Sequence, residues 1–283
     1  MKLHLDTAEI YVPDGIPADR GLARTTHMAI GAHQDDLEIM AAGPILQCFH
    51  QSDRWFTGVV ATDGRGSPRA DLYAEYSDED MRMVRIQEQK KAAVVGEYSA
   101  LVLMDYPSKA IKDGDNRQPV EDLASLVEAA SPRFVYTHNL ADKHDTHVGT
   151  AFKVVAAIRS LPETMRPEKL YGCEVWRDLD WMVDGDKVAF DLTARESLQA
   201  ALLGVFDSQI VGGKRYDLAS MGRRRANATY FESHGVDVTT SMSYAMDLTP
   251  LILDLDIEIG FFVNEHIRRF AEDVADRLAR VGP

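Results

Sequence analysis

Cysteine is scarce in this chain. Only Cys48 and Cys173 occur in 283 residues, each in apolar surroundings, ILQCFH and LYGCEVW. Two thiols cannot build a disulfide framework, and buried free thiols are the reading those surroundings favour. Long apolar runs are missing as well. None approaches the length of a membrane span, so no transmembrane helix is expected. The opening MKLHLDTAEIYVPDG is too polar and too acidic for a secretory leader, which makes a cytoplasmic protein the expectation. Asn227-Ala-Thr then matches the glycosylation pattern by chance. Basic residues are few: 31 Lys and Arg stand against 45 Asp and Glu, a net charge of −14. Nucleic-acid binders neutralise phosphates with clustered cations, so that class is excluded, though a small phosphate-bearing substrate is not. Internal repeats and low-complexity segments are absent too.

What is present reads as alternating strands and helices. THMAIGAH (26–33) is a short apolar run suited to a buried strand, and from Asp36 to about Gln51 the apolar spacing is helical, with Pro44 suggesting a kink or a late start. A strand and Gly-rich loop follow over 55–64, then a helix over 78–96 that stops at Gly96. Strands at 99–107 and 133–139 flank a helix at 118–130, and a further helix runs from about Thr146 to Ser160. Four such units imply an α/β fold: a Rossmann-like, mostly parallel sheet with helices on both faces. The carboxyl-terminal half is less regular. It offers a fifth strand at 169–176, a hairpin over 181–192 turning at Asp184-Gly185, helices near 194–206 and 214–226, and an amphipathic helix at 261–281. The length suits one domain over 1–283, with an irregular arm at 1–24, a motif-bearing core at 26–160, and a segment at 161–283 for substrate or subunit contacts, a homo-oligomer being one outcome.

Two clusters carry chemistry. IGAHQDDLEIM puts His33, Asp35 and Asp36 at the exit of the first apolar strand, and THNLADKHDTHVG puts His144 and His147 three residues apart after the fourth. Parallel strands deliver both clusters to one sheet edge. Together they offer the donors of a catalytic zinc site: His33, Asp36 and His147 could supply three ligands and leave one position open. Asp35 would then be free beside the metal as a base for water, and His144 would stabilise an oxyanion or protonate a leaving group. Each cluster alone also reads as a capped helix start. The weight lies in the conjunction.

These residues resemble the PIG-L/LmbE-like family of zinc-dependent N-deacetylases. The family's A-H-P-D-D-x-E appears as Ala32-His33-Gln34-Asp35-Asp36-Leu37-Glu38, and its H-P-D-H as His144-Asp145-Thr146-His147. Thr62-Asp63-Gly64 and Arg85-Ile-Gln-Glu88 match its intervening motifs, and Ser208-Gln209 a later Ser-Gln pair. The resemblance implies that His33, Asp36 and His147 bind Zn2+, that Asp35 is the general base, and that His144 polarises or protonates. It implies hydrolysis of an N-acetyl group on an amino sugar such as an N-acetylglucosamine conjugate, with Arg85, Asp63 and Arg65 near substrate. A His₂Asp site also accepts Fe2+, Co2+ or Mn2+.

Three departures stand out. Gln34 replaces the usual proline and relaxes the loop. Thr146 replaces the second-motif aspartate, leaving Asp142 to orient His144. No tyrosine stands near the second motif, where Lys143 is the nearest donor. Weaker candidates are His138, Tyr230, His234, Trp176 and Trp181, while Arg223–Arg225 read as a solvated charge run. A dinucleotide-binding domain fails because no G-x-G-x-x-G follows the first strand. Hydrolysis of another amide or an ester, and a non-catalytic sugar-binding protein, remain as rivals.

Overall fold

The computed structural model describes residues 1–282. Its first elements are β1 (Glu9–Tyr11) and α1 (Ala18–Ala23), so the lead-in expected to be irregular contributes a strand and a helix. The first apolar run forms β2 (His27–Gly31), buried throughout. Behind it the expected single helix is two, α2 (Asp36–Met40) and α3 (Ala42–Cys48), broken at Ala41 with Pro44 inside the first turn of α3. Proline is tolerated there because first-turn amides have no intrahelical acceptor.

β3 (Phe56–Thr62) leads to α4 (Asp78–Val95), which Ser77 and Asp80 start with a reciprocal capping box. β4 (Ala100–Tyr106), the short α5 (Ser108–Lys112), α6 (Gln118–Ala130), β5 (Phe134–His138) and α7 (Asp145–Ser160) follow.

Beyond β6 (Lys169–Cys173) the expected hairpin does not form. Residues 184–186 make a 3₁₀ turn, and β7 (Lys187–Asp191) pairs with a distant strand instead. After α8 (Glu196–Gly204), α9 (Asp207–Ile210) and α10 (Tyr216–Tyr230) comes that strand, β8 (Met242–Asp247). It inserts antiparallel between β6 and β7, and the apolar alternation of 187–191 is satisfied there. α11 (Thr249–Leu253) and the amphipathic α12 (Ile259–Val281) close the described chain. No helix is long and apolar enough to cross a membrane.

The sheet has eight strands in the order β1-β4-β3-β2-β5-β6-β8-β7. β4, β3, β2, β5 and β6 are mutually parallel; β1 pairs antiparallel with β4, β8 with β6, and β7 with β8. Two buried apolar clusters cover the faces, one containing Leu123, Val154 and Ile158 from α6 and α7, the other Leu37, Ile45 and Ala93 from α2, α3 and α4. This is the expected Rossmann-like α/β fold. Strand order reverses at β2, whose neighbours β3 and β5 lead chain crossovers to opposite sides. Ligands in such sheets sit outside the carboxyl ends of the strands at that point. Both His/Asp clusters emerge there.

Candidate metal centre and active site

The turn after β2 is built around Asp35, whose φ of 93° is left-handed. Aspartate reaches that region more easily than most residues, but the conformation still stores strain. Three contacts hold it. The Asp35 amide donates to Gln89 Oε1 at 3.1 Å, and Asp35 Oδ1 lies 3.5 Å from Arg85 Nη2. Arg85, itself buried, also donates to the Gln34 carbonyl and the Ser67 hydroxyl. Arg85 thus ties this turn to the Gly64–Ser67 loop after β3. It does not pair with Glu88 or Asp80 along its own helix.

Past the turn, Asp36 begins α2 and folds back, its Oδ2 accepting the His33 amide at 2.6 Å. Three donor atoms then converge. His33 Nδ1 is 3.2 Å from Asp36 Oδ2, His147 Nε2 is 3.4 Å from Asp36 Oδ1, and His147 Nε2 is 3.3 Å from His33 Nδ1. These three residues could hold a metal ion. A tetrahedral zinc with bonds of about 2.0–2.1 Å has ligand–ligand edges of roughly 3.3–3.4 Å. The side chains already stand at that spacing, and two imidazole nitrogens facing each other at 3.3 Å need a shared cation or proton between them. The donors fit a divalent metal.

Charge follows geometry. Burial holds His33 down at about 4, against the pull of Asp36, so its ring is neutral. Burial pushes the Asp36 carboxyl up, but His147 and His138 outweigh it and leave the group well below the usual carboxylate range. His147 is lowered by burial and raised further by Asp36 and Asp142, ending above its ordinary value. Asp35 is different. Burial, reinforced by Asp36, carries it well above the carboxylate range, with Arg85 opposing. Two adjacent aspartates therefore have opposite proton affinities, the division of roles that an acid–base site requires.

Asp142 orients the centre, though not where the sequence suggests. Its carboxylate meets His147 Nδ1 at 3.4 Å rather than the His144 ring, and it accepts the His144 and Trp176 amides, each at 3.1 Å. That contact directs His147 Nε2 toward the donor triangle. His138, Asp142 and His147 form a second compact group. However, His138 Nε2 already accepts the Ala32 amide at 2.9 Å, and its ring stacks on His147 with centroids 3.9 Å apart. It supports the site from beneath. His144 stands 5.1 Å from His33, ring to ring, and its Nδ1 is buried with no partner among the described residues.

The centre opens into a cavity of about 540 Å³ that His33, Asp35, Asp36, Arg85 and His144 line. Asp63 and Arg65 do not line it. They pair with each other, Arg65 Nε to Asp63 Oδ2 at 2.7 Å, because the Gly64 turn folds the guanidinium back onto its neighbour. Gln34 does not loosen the loop: buried, it donates to the Thr62 carbonyl at 3.1 Å and braces the end of β3. Ser208 binds both oxygens of Glu88 at 2.6–2.8 Å, which docks α9 against α4 and brings Gln209 to the cavity.

From the carboxyl-terminal half, Trp176 and Tyr216 also reach the cavity. A tyrosine is thus supplied 69 residues beyond His147, where no local pattern announces it. Trp181 instead packs on Phe270, and Tyr230 and His234 stay exposed away from the site. Arg224 is not solvated. It is buried against α2, while Asn227 is buried against Glu174.

Residues 28–158 match the family model described as GlcNAc-PI de-N-acetylase, PIG-L. No curated protein sequence matches the chain. Among solved structures, the chain is similar to N,N'-diacetylchitobiose deacetylase from Pyrococcus horikoshii, with a TM-score of 0.64 and 15% identity over 84% of this chain and 88% of that one. It is similar to GalB, the 4-carboxy-2-hydroxymuconate hydratase from Pseudomonas putida, with a TM-score of 0.61 and 17% identity over 79% and 96%. A zinc-inhibited form of teicoplanin deacetylase Orf2 gives a TM-score of 0.54 and 13% identity over 79% and 98%. Identities this low establish the shared fold. Residues 28–158, the stretch the PIG-L family model matches, carry both His/Asp clusters.

Proposed function

We propose that this protein is a metal-dependent hydrolase that removes an N-acetyl group from an amino sugar. The observation that carries the reading is the triangle of His33, Asp36 and His147 donor atoms, 3.2–3.4 Å apart, with the Asp35 carboxyl beside it on the same cavity. The PIG-L match and the deacetylases among the structural relatives support the amide as the scissile bond.

His33, Asp36 and His147 would hold the metal, and Asp142 fixes the His147 tautomer. A divalent ion bound there supplies Lewis acidity and makes a nearby water easier to deprotonate. Asp35 takes the proton of the attacking water. It then returns that proton to the leaving nitrogen. The Arg85 guanidinium holds the Asp35 carboxyl in place. His144 presents its ring to the cavity and donates to the oxygen on which charge develops. Zinc is the metal of choice for this donor set. One solved form of the Orf2 relative is zinc-inhibited, so excess zinc belongs in any titration.

The test is metal content by elemental analysis beside acetate release from N-acetyl amino sugars. About one divalent ion per chain, lost in His147→Ala, with acetate release from the wild type, is the expected result. A full metal complement without acetate release from any N-acetyl sugar would remove the deacetylase reading. Water addition to an unsaturated acid, as in the hydratase relative, would then be assayed.

A further inference from the structure

A second cavity, of about 380 Å³, adjoins the first behind Trp176. Ile39, Val175, Trp176, Lys214 and Tyr216 line both, so the two spaces share a wall. The Trp176 ring lies 6.1 Å from His144 on one side, and Lys214 Nζ sits 4.9 Å from its centroid. Whatever occupies the second cavity can therefore be continuous with a substrate whose scissile bond faces His144.

The charge of this cavity is opposite to that of the chain. Lys143, Lys214 and Arg223 line it, and none forms a salt bridge among the described residues. Arg215 also lines it but is held by Asp217. The single carboxylate on the wall is Glu174, and it is committed elsewhere. It accepts Asn227 Nδ2 at 2.6 Å and the amides of Leu179 and Tyr244 at 3.1 and 3.3 Å. Arg223 is positioned by donating to the Val175 carbonyl, next to Trp176 in sequence. Three cations with no salt-bridge partner around one concave space, in a protein of net charge −14, concentrate positive potential where a ligand would enter.

We propose that this second cavity is an oxyanion subsite: the substrate carries a phosphate or carboxylate group, held by Lys143, Lys214 and Arg223, on the portion that lies across Trp176 from the scissile amide. The subsite rests on the hydrolase reading only for the direction in which substrate is threaded. It predicts that charged amino sugars are preferred over neutral ones through binding. Lysine and arginine donors to an oxyanion make the stronger class of hydrogen bond, and salt screens the exposed lysines' share of it.

The experiment is calorimetric titration of the metal-loaded protein with three probes: N-acetylglucosamine 1-phosphate, N-acetylmuramic acid and the uncharged methyl glycoside of N-acetylglucosamine. Acetate release is read in parallel. At least one charged probe should bind about tenfold or more tightly than the neutral one, about 1.4 kcal/mol. The gap should narrow with added salt and close in Lys143→Gln/Lys214→Gln, whose altered side chains are exposed and leave the fold intact. Arg223→Lys, which keeps the charge but loses the fork, should give an intermediate gap. The tighter of the two charged probes identifies phosphate or carboxylate as the group held. Equal binding of charged and neutral probes, a gap that survives the double substitution, or no binding of either charged probe overturns the subsite. Charged probes that bind but release no acetate would keep the subsite and count against the deacetylase reading. Neutral sugar deacetylated as well as charged sugar would do the reverse.

Discussion

The guanidinium of Arg224 on α10 donates to the main-chain oxygens of Glu38 at 2.7 Å and Ile39 at 3.1 Å, two and three residues past Asp36. It also holds Gln199 Oε1 at 3.1 Å. One buried side chain thus caps the helix that starts with a candidate metal ligand and fastens it to the carboxyl-terminal half. Helix carbonyls have no intrahelical donor at their end, and a cation there satisfies both the hydrogen bonds and the dipole.

Arg224→Ala should therefore cost about 3 kcal/mol of unfolding free energy, since hydrogen bonds to charged groups contribute on the order of 1.5–3 kcal/mol and their acceptors would be left buried. Metal affinity should fall with it. Denaturant melts of the metal-free and metal-loaded protein check both. A loss under about 0.5 kcal/mol would mean α10 is not what secures α2.

Asp35→Asn should keep its metal and lose on the order of 10²–10⁴ in kcat, the usual worth of a positioned base. Elemental analysis beside the rate decides it. Wild-type turnover in this variant would end the assignment of Asp35 as base.

Asp142→Asn removes the carboxylate behind His147 without removing a ligand. The expected result is a metal dissociation constant about 10–100-fold weaker, measured by competition with a chelator. Unchanged affinity would show that the 3.4 Å contact to His147 Nδ1 does not orient the ring.

Gly64 has φ +69°, and a Cβ there would stand 2.2 Å from Gln34 Oε1. Gly64→Ala should destabilise the protein by about 1–3 kcal/mol, part from the left-handed backbone and part from the collision. Measured against Gln34→Ala alone, the same glycine substitution should lose most of the collision and cost roughly 1 kcal/mol. No cost in that background would mean the backbone conformation carries no penalty.

His27, at the base of β2, is held down to about 4 by burial, with Arg54 and Arg133 adding to the effect. Its folded value lies below the unfolded one near 6.5. The unfolded chain therefore takes up a proton first as pH falls, and stability declines between about 6.5 and 4. The loss reaches on the order of 3 kcal/mol below that window. His27→Asn should flatten this limb of the stability–pH curve. An unaltered limb would place the acid sensitivity elsewhere.

The sequence by itself determined the alternation of strands and helices through Ser160 and the identity of the converging donors. Both are local properties. Apolar runs between turn residues specify buried strands, parallel connections send every strand end to one edge, and a histidine or aspartate just past a strand is thereby placed at that edge. Tertiary structure decided the partners. Asp142 faces His147 rather than His144, Asp63 and Arg65 turn toward each other, and Gln34 braces the loop it was expected to relax. Which atom a side chain meets depends on packing that residue spacing does not encode.

The second half shows this most clearly. β7 was legible as a strand, but its partner β8 lies more than fifty residues away, so an adjacent hairpin was the natural and mistaken reading. Trp176, Tyr216 and Arg224 carry no motif. They reach the site because β6 continues the parallel sheet and α10 packs back over α2, contacts that loop closure and burial select only when the whole chain has folded.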